Sequence, residues 1–160
     1  KLENQLTSGS FFQYEKGDGN VLYPVEDEMV YNEYVVLTQM LNDFMRYRFA
    51  NTSGSEPAQI DMGLKWVTIS SEATENDQAT TLNSLLFIHG TRLYTAEVRV
   101  EVIITHKGQT HKRTIYGRAN TRAETFKKTK TDVNAYSAVL NKANNRVVYF
   151  TNQFLRDVGL

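Results

Sequence analysis

Hydrophobic positions change period along this chain, and the changes divide it into elements. From about 27 to 50, Val30, Tyr34, Leu37, Leu41, Phe44 and Met45 recur at three-and-four spacing. That is the period of an amphipathic helix of about six turns. Glu26, Asp27 and Glu28 stand at its start and Arg46 and Arg48 at its end, as the helix dipole favours. The run Asn51-Thr52-Ser53-Gly54-Ser55-Glu56-Pro57 ends it. Residues 59–70 alternate instead. Ile60, Met62, Leu64 and Trp66 fall on one face, and Asp61 and Lys65 on the other, where Val67 and Ile69 join them. This pattern predicts a strand with one buried face. Residues 71–82 are polar and read as a surface loop. Leu85-Leu86-Phe87-Ile88 reads as a short strand ended by His89-Gly90.

The clearest alternation covers 94–121. Ala96, Val98, Val100, Val102 and Ile104 alternate with Glu97, Arg99 and Glu101, and the chain returns through Ile115, Gly117 and Ala119. A turn at Lys107-Gly108 pairs Val100 with Ile115, Val98 with Gly117, Ala96 with Ala119 and, on the solvent face, Glu97 with Arg118. After a basic connector at 122–130, Thr131-Asp132 offers a helix cap. Val133, Tyr136, Leu140, Ala143, Val147, Phe150 and Phe154 then keep helical period to about Asp157, and Gly159 stops it.

The first ten residues read as a flexible arm. Phe11–Tyr14 and Val21–Val25 are short apolar runs around a turn at Gly17-Asp18-Gly19. Residues 11–160 form a single α+β domain in this reading. It is a two-layer sandwich, an antiparallel sheet with a long hairpin (about 94–121), covered on one face by amphipathic helices at about 27–50 and 131–157.

Composition narrows the chemistry. The chain has 160 residues, 18 of them aromatic, and no cysteine. That suits one folded domain, since domains run roughly 100–150 residues. It also excludes disulfides and thiolate chemistry within these residues. No apolar run approaches the ~20 residues that span a bilayer. The chain begins at Lys1, so the reading is of a processed chain whose export signal lies outside it.

Motifs for catalysis do not emerge. His89, His106 and His111 lack HExxH spacing, and His106 and His111 read as exposed residues flanking the turn. The glycines match neither GxxxxGK[ST] nor GxGxxG, and no GxSxG elbow occurs. The Glu26–Glu28 carboxylates are better explained as helix-start charges than as an acid–base pair. The expectation is a non-enzyme with no cofactor and no metal site.

Charge carries more. Net charge is zero, but residues 1–101 hold 15 acidic and 7 basic side chains, and residues 102–160 hold 3 and 11. The basic excess centres on the return strand and its exit. Lys112, Arg113, Arg118, Arg122, Lys127, Lys128 and Lys130 form a candidate patch for an anionic partner. Its simplest competitor is internal neutralisation of the acidic first helix. Nucleic acid is a weaker fit, because only Tyr116 in the hairpin is available to stack a base.

The strand QIDMGLKWVTIS, the pair YTAEVRVEVIIT and HKRTIYGRANTRAE, and the final DVNAYSAVLNKANNRVVYFTNQFL together resemble small bacterial envelope lipoproteins. These are the lipopolysaccharide-assembly, YajG-type and ABC-transport auxiliary lipoproteins. The resemblance covers roughly 29–157 and is one of pattern and element order. It implies a periplasmic accessory domain beside a larger envelope machine, anchored to the outer membrane by a lipid outside this chain. It implies a protein partner or anionic lipid and no catalytic residues. The lipidated cysteine of that group is absent here, and residues 71–88 lengthen the usual strand connection. The alternatives are a structural subunit of a secretion, flagellar or viral particle, docking through Phe11 and Phe12, or a nucleic-acid-binding domain.

Overall fold

The computed structural model describes residues 2–5, 27–51, 57–73, 89–126 and 130–160. The expected strands, turn and aromatics between 11 and 25, and the short strand at 85–88, lie outside them. The elements are β1 (Leu2–Asn4), α1 (Asp27–Phe49), β2 (Gln59–Ala73), β3 (His89–His106), β4 (Gln109–Phe126) and α2 (Lys130–Asp157). This is an α+β chain with a four-stranded sheet in the order β1-β2-β3-β4.

The sheet is mixed, not wholly antiparallel. β1 runs parallel to β2, pairing Leu2 with Met62 and Asn4 with Leu64. A parallel neighbour requires a long crossover, and α1 lies in that crossover. The first residues of the expected flexible arm are therefore an edge strand, and Leu2 is fully buried. Burial of Leu2 and the backbone pairing with β2, continued by Gln5 N–H to the Leu64 carbonyl at 3.0 Å, hold it to the sheet.

β3 and β4 form a hairpin paired from His89↔Phe126 to His106↔Gln109. It reaches beyond the expected 94–121 at both ends. His89-Gly90 therefore opens a strand and does not end one. The pairs Val100↔Ile115, Val98↔Gly117, Ala96↔Ala119 and Glu97↔Arg118 are all present. Lys107 (φ 51°) and Gly108 (φ 71°) both have positive φ, as a two-residue type I′ turn demands.

β2 departs from simple alternation. Its register against β3 shifts between Leu64 and Trp66: Leu64 opposes Val100 and Trp66 opposes Arg99. Lys65 is the extra residue of a β-bulge. The bulge reverses the phase, so Met62 and Leu64 point inward before it and Val67 and Ile69 after it. Trp66, expected beside Met62 and Leu64, turns to the opposite face. β2 also continues through Ser71, Glu72 and Ala73, expected as loop, because β3 begins early enough to pair with them. Ser71 is buried opposite Tyr94.

Both helices feed one buried cluster. Leu37 and Leu41 of α1 and Tyr136, Val139, Leu140, Ala143, Val147, Phe154 and Leu155 of α2 meet the inward rows of the strands. The side chains of Val30, Tyr34 and Val133 fall outside the description. Phe150, expected on the buried stripe, is 41% exposed. Thr151 occupies the inward position, and its hydroxyl donates to the Val147 carbonyl at 2.7 Å, satisfying a polar group inside the core. α2 lies closest to β4 at Gly117. A Cβ there would collide with the Ala143 carbonyl oxygen and lie 2.7 Å from Val147 Cγ2.

Candidate interaction site

The charged and aromatic residues of the hairpin gather on the sheet face turned away from the core. Strand alternation sends Glu97, Arg99 and Glu101 of β3 to that face, and Lys112, Thr114, Tyr116, Arg118, Asn120 and Arg122 of β4. The bulge adds Lys65 and Trp66 from β2.

Trp66, Arg99 and Tyr116 stand in one row across three strands. The Arg99 guanidinium carbon is 5.3 Å from the Trp66 ring centroid and 5.5 Å from that of Tyr116. Its Nε donates to Glu97 Oε1 at 2.5 Å. A cation between two π faces and one carboxylate is held in position. Tyr116 remains 53% exposed. Trp66 is a functional candidate missing from the expected set. Its signal in the sequence is the phase change after Leu64, where Val67 and Ile69 resume the apolar pattern one position late. Trp66 gives this face a second ring beside Tyr116, yet Arg99 engages both.

The neighbouring row is an ion-pair network. Glu101 accepts from Lys112 Nζ at 2.8 Å and lies 3.7 Å from Lys65 Nζ. The Lys112 hydrogen bond, helped by the charges of Lys112 and Lys65 and opposed by burial, holds the Glu101 carboxyl below its ordinary value.

The expected basic patch divides. Lys112 faces outward but is engaged with Glu101. Arg113 falls on the opposite, helix-side face, because odd positions of β4 point inward with Ile115. There its Nη1 donates to Asp157 Oδ2 at 2.8 Å, and its guanidinium covers the Phe154 ring at 4.4 Å. Arg113 thus ties the end of α2 to the sheet and leaves the patch. Arg118 and Arg122 are exposed on the outward row. Among the described residues neither side chain forms a salt bridge. Glu97, opposite Arg118, pairs with Arg99 instead. Lys127 and Lys128 lie outside the described residues, and Lys130 is described only as the first residue of α2.

His106 and His111 lie on the helix-side face at the turn end, half-buried and not exposed as expected. Their pairing with Gln109 and Ile104 makes them diagonal neighbours. Among the described residues no group of three or more His, Asp or Glu side chains converges to hold a metal. No helix of the described residues is long and apolar enough to cross a membrane.

No protein-family model matches the chain, and no curated protein matches it. Among the solved structures that align with it, two are each 10% identical. One, described as an uncharacterized protein, aligns over 99% of this chain and 89% of its own, with a TM-score of 0.44. Another, described as "a putative lipoprotein from Caulobacter crescentus CB15", aligns over 96% of this chain and 86% of its own, with a TM-score of 0.38. Likenesses this distant do not bear on what the chain binds.

Proposed function

We propose that this chain is a non-enzymatic accessory domain of the bacterial cell envelope. It contacts an anionic partner, a protein surface or lipid head groups, through the outward row of β4. The carrying observation is that Arg118 and Arg122 stand exposed on one face of β4, four residues apart, and form no salt bridge among the described residues. Lys112, one end of the same row, is neutralised by Glu101, so the available charge is concentrated toward the other end. The element order shared with small envelope lipoproteins supports the cellular setting, and the basic connector at 127–130 continues the charge in sequence.

The test is co-sedimentation of the full chain with vesicles of equal parts phosphatidylcholine and phosphatidylglycerol, beside phosphatidylcholine alone. Binding to the anionic vesicles should fall with added salt. In the R118E/R122E variant it should weaken by about tenfold or more, each charge near an anionic surface contributing about 1 kcal/mol, with the thermal midpoint unchanged. Equal binding by the variant would remove the row as the contact.

A second reading, a structural subunit of a larger assembly, is favoured by a separate observation. Tyr149 (58% exposed) and Phe150 pack edge-to-face at 5.3 Å on the surface of α2. Sedimentation that shows a stable ring or filament would support it over the first.

A further inference from the structure

β4 closes one end of the sheet. Among the described residues, β3 is its sole strand partner along 18 residues. The hydrogen-bond pattern says which of its amides face outward. In a two-residue type I′ hairpin the closing pair, here His106 and Gln109, exchanges backbone hydrogen bonds, and alternate pairs follow suit. The odd residues of β4 therefore bond to β3. The even residues direct their N–H and C=O groups to the free edge. An independent contact agrees: the carbonyl of Arg118 accepts a hydrogen bond from Arg146 Nη1 of α2, which reaches the strand from its open side.

The even residues are also those whose side chains form the outward basic row. Along this edge stand Lys112, Arg118 and Arg122, with Lys142 and Arg146 reaching in from α2. A second copy of β4 would bring the same cations against these, so self-pairing is opposed by like charge. An acidic strand meets no such penalty.

We propose that the free edge of β4 takes an extended acidic peptide segment as a fifth strand. Backbone hydrogen bonds to the even residues supply the affinity, and alternate carboxylates of the peptide meet Arg118 and Arg122. Arg146 then acts as a stopper, holding the Arg118 carbonyl until the incoming N–H replaces it. This deepens the binding role proposed above and rests on it, choosing a protein segment over a lipid surface.

The probe is an end-capped decapeptide alternating glutamate and threonine. A second copy of it is N-methylated at every other amide, so that its hydrogen-bonding edge is blocked while its charge is kept. Amide chemical shifts and hydrogen exchange of the full chain are followed with each. The unmodified peptide should shift and protect the amides of Thr114, Tyr116, Asn120 and Arg122, and the N-methylated peptide should bind at least about tenfold more weakly. Asn120→Pro removes one outward N–H and spares the pairs with β3; it should weaken the unmodified peptide alone. Equal binding of both peptides, or no binding at millimolar concentration, overturns the fifth strand. If the anionic vesicles still bind through Arg118 and Arg122 in that case, the electrostatic reading stands without it. If they do not, both fail.

Discussion

Gly117 shows what a missing side chain can do. Val98 opposes it on the inward face of the hairpin, and the α2 backbone occupies the space where its Cβ would be. Gly117→Ala should therefore destabilise by about 3 kcal/mol, the upper end for overpacking, because the obstructing atom is a backbone carbonyl on a packed helix. Gly63 offers the control. The nearest atoms a Cβ there would meet belong to the Gln5 side chain, which can swing away, so Gly63→Ala should cost under about 1 kcal/mol. Thermal denaturation of the two variants measures the contrast. Glu101 has a different signature. Its carboxyl titrates below the ordinary 4.5 in the folded chain. The stability it contributes is full above that value and is lost as pH falls from there through the lower folded-state value. Glu101→Gln should flatten this part of the acid limb in denaturation measured across pH, and leave the dependence above pH 6 unchanged.

Among the elements, β2 separates what pattern reveals from what it hides. The helices and the hairpin were legible because their apolar positions repeat without interruption, and the Lys107-Gly108 turn set the register of every pair that followed. The bulge was harder to read. Ile60, Met62 and Leu64 establish a phase that Trp66, large and apolar, continues in the sequence. The structure instead keeps Val67 and Ile69 inside. Two β-branched residues in phase outweigh one tryptophan that can cover an arginine on the surface. Deleting Lys65 removes the bulge and leaves every later residue of β2 facing as it does now, so the variant should retain a cooperative melt. Deleting Thr68 turns Ile69 outward and should abolish it. Circular dichroism melts of both deletions check this. β1 was illegible for another reason. Three residues carry no period, and only the site waiting for Leu2 makes them a strand.

For the whole molecule, the division of charge along the sequence was legible, and its spatial meaning was not. Net zero hid an acidic first part and a basic remainder. The candidate patch counts Arg113 together with Lys112, Arg118 and Arg122. Strand alternation separates Arg113 from Lys112 and sends them to opposite faces, each with its own carboxylate. What remains outward is Arg118 and Arg122. Opposite them across the hairpin stand Glu97 and Leu93 of β3, which no run of consecutive residues could display.

The tight turn between β3 and β4 also sets an order of events in time. Contacts spread outward from Lys107-Gly108 with each loop closed only slightly longer than the last, so the entropy of closure is small at every step. β1 must instead find Met62 across the entire α1 crossover. The hairpin should form in the rate-limiting step and β1 should dock after it. Substitutions at Val100 and Ile115 should thus slow refolding, while Leu2→Ala should act almost wholly by speeding unfolding. Stopped-flow chevrons of the three variants measure the partition; a slowed refolding limb for Leu2→Ala would reverse the order.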